Sequence, residues 1–272
     1  TGQTISGLRM RNLNLINFRR LLEVVGAVDG AIIQGIRAHG WSKSLLNVVN
    51  MTNSYIRHIV GDADCQDGDN FLMGIGFNEG CTGNTVEDIA IINIVDSRPH
   101  DEYWNGDVVK SERTDGNNVY RRIYGYLSTD TLLDLKGTNE KVYHSYGEEM
   151  KRTYRFWDDQ ELIDSVSVNP TKLGGTGGAC HVMSCDTTGN VTIRGGHFFS
   201  NLAPETYNVF HVPEAQGSPF IPAQEDFVER YGIRSVIGFG GALRSGNLFA
   251  TILFSRRPIP AEAPGARVRQ DE

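Results

Sequence analysis

The chain is 272 residues long, with 31 glycines, 9 prolines, 4 cysteines and a formal net charge of −7. Its acidity argues against nucleic acid as a partner, because neutralising phosphates needs a basic face. No apolar run approaches the ~18–20 residues of a membrane span, and a glycine-rich, proline-poor composition fits a turn-rich all-β chain better than a helical one.

In chain order, six short phrases share one alternating pattern: LRMRNL, AIIQGI, SYIRHI, IAIINI, NVYRRI and KVYHSY. They place Leu13, Ile36, Ile59, Ile94, Ile123 and Tyr146 at equivalent points, with steps of 23, 23, 35, 29 and 23 residues. LLEVV, LLNVV, DVVKSE and TLLDLK form a second column that aligns Val24, Val48, Ser111 and Leu135. A fixed period of this size marks units that bury a core only by stacking. Two short strands per period, separated by Gly, Asn and Asp, leave no room for an ordinary helix. The predicted architecture is an all-β, right-handed parallel β-helix over residues 1–201, one coil per period and about seven coils in all. The chain lacks an initiating Met and opens inside a coil, which predicts a cap upstream of it.

Alternation turns Val24, Val48, Ser111 and Leu135 inward and Glu23, Asn47, Lys110 and Asp134 outward. The next outward column holds Val25, Val49, Glu112 and Lys136. Equivalent residues of stacked coils lie about 4.8 Å apart, so Lys110 is expected beside Asp134 and Glu112 beside Lys136. A salt-bridged solvent face is the plain reading of these pairs. Two insertions, 61–84 and 96–107, interrupt the beat, and insertions in repeat proteins map to one face. A third irregular stretch, 169–181, carries Lys172 and His181 but lacks the strand–helix grammar of a phosphate loop. Cys65, Cys81, Cys180 and Cys185 allow three pairings; the spacings 65–81 and 180–185 suit local disulfides, and small core residues are the alternative.

From about 202 the period breaks. Residues 202–260 hold proline-punctuated extended segments, a short helix at AQEDFVER, and a hairpin of SVIGFGG (235–241) with LFATILFS (248–255). Residues 261–272 read as a disordered tail.

Three groups of residues carry candidate chemistry. Asp62, Asp64, Asp67 and Asp69 could hold calcium, which takes six to eight oxygen ligands; Gln66 and the lack of a closing Glu exclude an EF-hand. Asp107, Lys110, Glu112 and Arg113 form the candidate catalytic column, with Arg122, Asp134, Lys136, Arg155 and Trp157 as candidate substrate contacts. Arg113 suits a uronate carboxylate, while a lysine between carboxylates holds its proton too tightly to be a base. For hydrolysis, Asp107 with Glu112 or Asp130 with Asp134 supplies paired carboxylates. Tyr154, Phe156 and Trp157 fit sugar stacking and core packing equally, and His181 and His197 read as structural or exposed.

The phrases NGDVVKSER, DLKGTN and YRFW within residues 105–200 resemble bacterial right-handed parallel β-helix repeat proteins, a group related to pectate lyases, polygalacturonases and mannuronan epimerases. That resemblance implies a secreted or cell-surface protein that handles an acidic polysaccharide, often with calcium. The paired-aspartate, Gly-His-Gly and Arg-x-Lys signatures of polygalacturonases are absent, so it implies no particular reaction. HVPEAQGSPFIPAQEDFV and YGIRSVIGFGGALRSGNLFATILFSRRPIP, within 209–260, are similar to the end of a GAF-like sensor segment of bacterial histidine kinases. Its front half and all kinase motifs are missing, and a cap over the solenoid end is the expected role. A polysaccharide lyase, epimerase or hydrolase is therefore expected first, a non-catalytic adhesin or tail-spike-like module second, and a sensor fragment third. Open solenoid ends also predict self-association.

Overall fold

The computed structural model describes residues 3–64, 71–96, 105–171, 179–185, 189–200, 210–221, 223–242 and 248–259. The chain divides into two compact units, 1–200 and 201–272. In the first, every strand pair described is parallel and joins a strand to its equivalent one turn of chain later. The strand Ile32–Val49 pairs by its first half with Tyr55–Asp62 and by its second with Met73–Glu79. Val119–Leu135 does the same with Thr85–Ile94 and Asp107–Lys110. These six strands therefore close into a parallel ring, and the remaining turns stack outward from it.

The core follows from alternation. One inward ladder runs Ile33, Ile56, Val86, Tyr120, Val142 and Leu162, and another Leu46, Ile75, Val109, Leu133 and Tyr154; all are buried. Val24 stacks on Val48, and Ser111 sits beside Leu135, all four inward and buried as their spacing predicts. Two register expectations need correction. Ile59 pairs with Ile89, whereas Ile94 pairs with Ser128. Tyr146 pairs with Tyr124, not with Ile123. Thr85–Ile94 carries Ile at 89, 91, 92 and 94, so apolar character alone cannot fix which one stands over Ile59.

Corners are made by left-handed backbone. Asn12, Gly35, His58, Asp88, Arg122, His144, Asp164 and Gly195 lie one above another between in-register pairs, with φ from 46° to 68°. A second such column holds Asn17, Gly40, Asn93, Leu127, Glu149 and Asn169. This conformation costs an ordinary L-residue roughly 1–2 kcal/mol, and Gly, Asn and Asp tolerate it best. At Gly35 the stack adds a second demand, since a Cβ there would stand 2.6 Å from the Asn12 Oδ1 of the turn before.

A buried polar ladder ties the turns together at another edge. Ser54, Asn84, Asn118, Glu140 and Gln160 occupy equivalent inward positions. The backbone N–H of Ala31 donates to Ser54 Oγ (2.9 Å), that of Ser54 to Asn84 Oδ1 (3.0 Å), and that of Asn84 to Asn118 Oδ1 (3.0 Å). Asn118 Nδ2 donates on to Glu140 Oε1 at 2.9 Å. Ser54, Asn84, Asn118 and Gln160 thus each satisfy a backbone donor, while Glu140 takes the Asn118 amide and the Ser111 and Tyr120 hydroxyls.

Cys81 is a free thiol in the core, pushed up to about 11 by burial. Cys180 and Cys185 are also free, so the 180–185 disulfide does not form; Cys65 lies outside the described residues. The second unit has a three-stranded antiparallel sheet of Phe210–Val212, Ser235–Ala242 and Leu248–Ser255, with a short π-helix at Gln224–Glu229. Val212, Ala215, Ile221, Val228, Ile233 and Val236 form its own small core. The hairpin and the short helix fall where the sequence places them, and residues 261–272 lie outside the described set.

Two stability outcomes follow. Asn118→Ala strands buried donors and acceptors on both neighbouring turns and should cost about 2–3 kcal/mol in urea unfolding. Glu149→Asn keeps a polar side chain at a left-handed corner while easing backbone strain, and should raise the unfolding free energy by about 1 kcal/mol in urea unfolding.

Candidate functional site

Three strands end at the same corner, Tyr55–Asp62, Thr85–Ile94 and Val166–Val168, and the next strands on the face beyond it begin at Met73, Asp107 and Cys180. In uninterrupted turns a single strand such as Ile32–Val49 or Val119–Leu135 runs straight through it. The face beyond that corner carries an outward column in register: Glu23, Asn47, Gly76, Lys110, Asp134 and Arg155. Over it opens a cavity of about 430 Å³, lined by Arg20, Lys43, Phe71, Met73, Asn78, Asn105, Asp107, Lys110, Glu112, Asp134 and Lys136.

The two predicted cross-turn pairs are both present. Lys110 is the register partner of Asp134, and Lys136 Nζ reaches Glu112 Oε1 at 3.1 Å. Lys110 Nζ donates to the same carboxylate at 2.9 Å, so one glutamate holds both lysines. Glu112 is lowered from its ordinary range: partial burial raises it, and the two lysines more than reverse that. Burial works against the charge on Lys136, but Asp134 and Glu112 outweigh it and hold the ammonium above its usual pKa.

Asp134 points away from the core yet is only 1% exposed. Trp157 Nε1 donates to its Oδ1 at 2.7 Å, Arg155 Nε lies 3.5 Å from the same oxygen, and Lys136 Nζ is 3.6 Å from Oδ2. The Trp157 ring in turn gathers cations, with Arg113, Lys136 and Arg155 at 5.3, 5.9 and 5.1 Å from its centre. Contacts of this kind contribute roughly 0.5–2 kcal/mol each, according to how dry they are.

Beneath this layer lies a fully buried carboxylate, Asp130, gripped by Arg152 (2.8 Å) and Arg155 (3.0 Å). Burial pushes Asp130 up while the two arginines pull it back. Asp107 is the unusual member. Its Oδ1 accepts from the Thr131 hydroxyl at 2.6 Å, and its Oδ2 has no hydrogen-bond partner among the described residues. Burial first, then the charges of Asp130 and Asp134, push its carboxyl up to about 8. Burial and these neighbouring charges favour its neutral form, and a carboxylic acid beside a carboxylate is the condition in which one group can give a proton while its neighbour takes one.

Asp107, Lys110, Glu112, Arg113, Asp134, Lys136, Arg155 and Trp157 therefore come together. Arg122 does not join them: it sits at a left-handed corner and forms a fork with Asp88 (2.6 and 3.0 Å), with Glu87 at 3.1 Å. Tyr154 and Phe156 are buried and stacked on each other, which makes them core. Asp62 Oδ1 is occupied by the Asp64 N–H and the Asn93 amide, both at 2.8 Å. Asp67 and Asp69 lie outside the described residues, and among those described no three metal-ligating side chains gather. Sequence reasoning missed Arg152, Asn78, Asn105, Arg20 and Lys43. Arg152 was findable, since it pairs with Thr131 and so stacks beside Asp130; Asn105 lies on a connection that carries no period, while Arg20, Lys43 and Asn78 lie on strands outside the two aligned columns.

Comparison with protein-family models, with curated proteins and with solved structures finds no match for this chain.

The raised Asp107 carboxyl has a consequence for stability. A folded-state pKa near 8 against an ordinary 3.8 favours the folded state fully below pH 3.8, and that contribution fades as pH rises through about 8. Asp107→Asn should therefore flatten the pH dependence of unfolding across this window and gain on the wild type at its alkaline end. Denaturant midpoints measured at acid, neutral and alkaline pH check this.

Proposed function

We propose that the first unit is a right-handed parallel β-helix of a secreted or cell-surface protein that binds an acidic polysaccharide along the cavity and cleaves it. One observation carries this reading. The cavity gathers Arg20, Lys43, Lys110 and Lys136 against Glu112, Asp134 and an Asp107 whose carboxyl burial pushes upward, in a chain whose net charge is −7. A local cationic excess in an acidic protein is what a polyanion would seek.

In this reading Asp107 protonates the glycosidic oxygen, and Asp134 serves as base or nucleophile opposite it. Lys110, Lys136 and Arg113 take the uronate carboxylates in exchange for Glu112, and Trp157 offers a ring face to a sugar. Elimination or epimerisation needs instead a base at C5, and Lys136 is ill suited, since Asp134 and Glu112 keep it charged. Calcium at Asp62 and Asp64, with Asp67 and Asp69, belongs to the same reading as a bridge to the polymer. A second reading, a non-catalytic β-helix that only binds glycan, is favoured by the mutual pairing of the cations and carboxylates of the face. The sensor reading rests on residues 209–260 alone.

The test exposes the protein to polygalacturonate, alginate and glycosaminoglycans, with calcium and with chelator. New reducing ends without ultraviolet-absorbing unsaturated uronate are expected, and Asp107→Asn or Asp134→Asn should lower their release by about 100-fold or more. Unsaturated product that vanishes in Arg113→Ala would make the protein a lyase. Binding to an immobilised polymer without any product would leave the second reading standing.

A further inference from the structure

We propose that Ser200 and His181 form a nucleophile–base pair, oriented by Ser167, that cleaves a carboxylic ester at a second site independent of the charged cavity.

Three side chains from separate elements meet here. His181 lies on Cys180–Ser184, Ser167 on Val166–Val168, and Ser200 directly after His197–Phe199. Ser200 Oγ is 3.3 Å from His181 Nε2, and His181 Nδ1 is 2.8 Å from Ser167 Oγ. The Ser167 hydroxyl donates to Thr153 Oγ1 at 2.6 Å. Ser167 bridges Thr153 and the imidazole: with its proton on Thr153 it accepts from Nδ1–H, the tautomer in which Nε2 presents its lone pair to Ser200. This is the tautomer a general base needs, held by a third group as nucleophile–base pairs require.

Burial grades the parts in the right order. Ser167 and Thr153 are fully buried, which fixes the orienting end; His181 is half-buried; Ser200 is exposed and open to a substrate. Phe198 meets the imidazole edge-on, its ring 6.0 Å away. Desolvation pulls the His181 pKa below its ordinary value, so the ring is neutral and able to take a proton at pH 7. The strand that carries His181 pairs on one side only among the described residues, which leaves its other edge unpaired. The 3.3 Å separation is within the looser range of pairs seen without substrate.

The chemistry balances with these groups and water alone. Ser200 Oγ adds to the ester carbonyl carbon as its proton passes to Nε2. The adduct collapses by breaking the bond to the alkoxy oxygen, which leaves as the alcohol with that proton. Water then adds to the acyl-serine, again giving a proton to Nε2, and the carboxylic acid departs as the proton returns to Ser200 Oγ. The exposed nucleophile, with only a phenylalanine edge beside the base, suits a small acyl group on a large alcohol.

The test treats the whole chain with a fluorophosphonate probe and, separately, with p-nitrophenyl acetate, followed by intact mass and peptide mapping. A single phosphonyl adduct on Ser200 and a stoichiometric burst of p-nitrophenolate are expected. Ser200→Ala, a change at an exposed position, should abolish both. His181→Gln should slow labelling by about 100-fold or more with an unchanged circular dichroism spectrum. Ser167→Ala should slow it less, because the base survives without its fixed tautomer. No adduct on Ser200 of the folded wild type, or equal labelling in Ser200→Ala, would overturn the proposal, and neither outcome depends on the polysaccharide reading.

Discussion

The structure depends on one constraint: each turn must present its backbone in register to the next, so bends must recur at fixed places. Left-handed residues satisfy it. From Asn12 to Gly195 the same corner is made turn after turn with φ near 55°, and where the corner residue is not Gly or Asn it is held by what it touches. Arg122 is the clearest case, since its fork onto Asp88 joins two successive corner residues. The inward ladder supplies the complementary half, with Ser54, Asn84 and Asn118 accepting backbone N–H groups of the neighbouring turns. Backbone geometry and buried hydrogen bonding thus enforce one register.

That register builds the charged face. Stacked turns bring residues far apart in the chain within about 4.8 Å of rise, so a column can concentrate charge that a single strand would spread out. Lys110, Asp134 and Arg155 meet only because of this. The same stacking buries Asp107 and places Asp130 and Asp134 close by, so that desolvation first and the two charges second raise its carboxyl. The arginines beneath keep the cluster from being three competing acids, and the insertions at the adjoining corner bring Phe71 and Asn105 over it.

How much of this could be read from the residues varied with how strongly each position is constrained. Val24, Val48, Ser111 and Leu135 were legible because one inward face leaves little choice of side chain, and the pairs Lys110–Asp134 and Glu112–Lys136 followed by alternation. The parallel, all-β stacking was legible for the same reason. Ile94 and Tyr146 do not stand where the aligned phrases put them, because Ile89 and Ile94, like Ile123 and Tyr124, offer two large side chains close together and size alone does not choose between them. Arg122 looked like a ligand contact because alternation does not reveal that a residue sits on a bend. The buried ladder was hidden altogether: Asn and Glu in turn-like contexts such as DGNN and GTNE read as solvent loops until their stacking is seen.

The corner at which Tyr55–Asp62, Thr85–Ile94 and Val166–Val168 end has a meaning beyond this chain's own loops. Turns as short as Glu140 to Gln160 and as long as Thr85 to Val119 share the same corners and the same core. The feet of an insertion stay in the packing, as Ala63 and Leu72 do in the core, while each further residue between them adds only a slowly growing closure entropy. The stack behaves as a backplane with a standard socket at one edge, into which segments of new length and chemistry can be exchanged without renegotiating the fold.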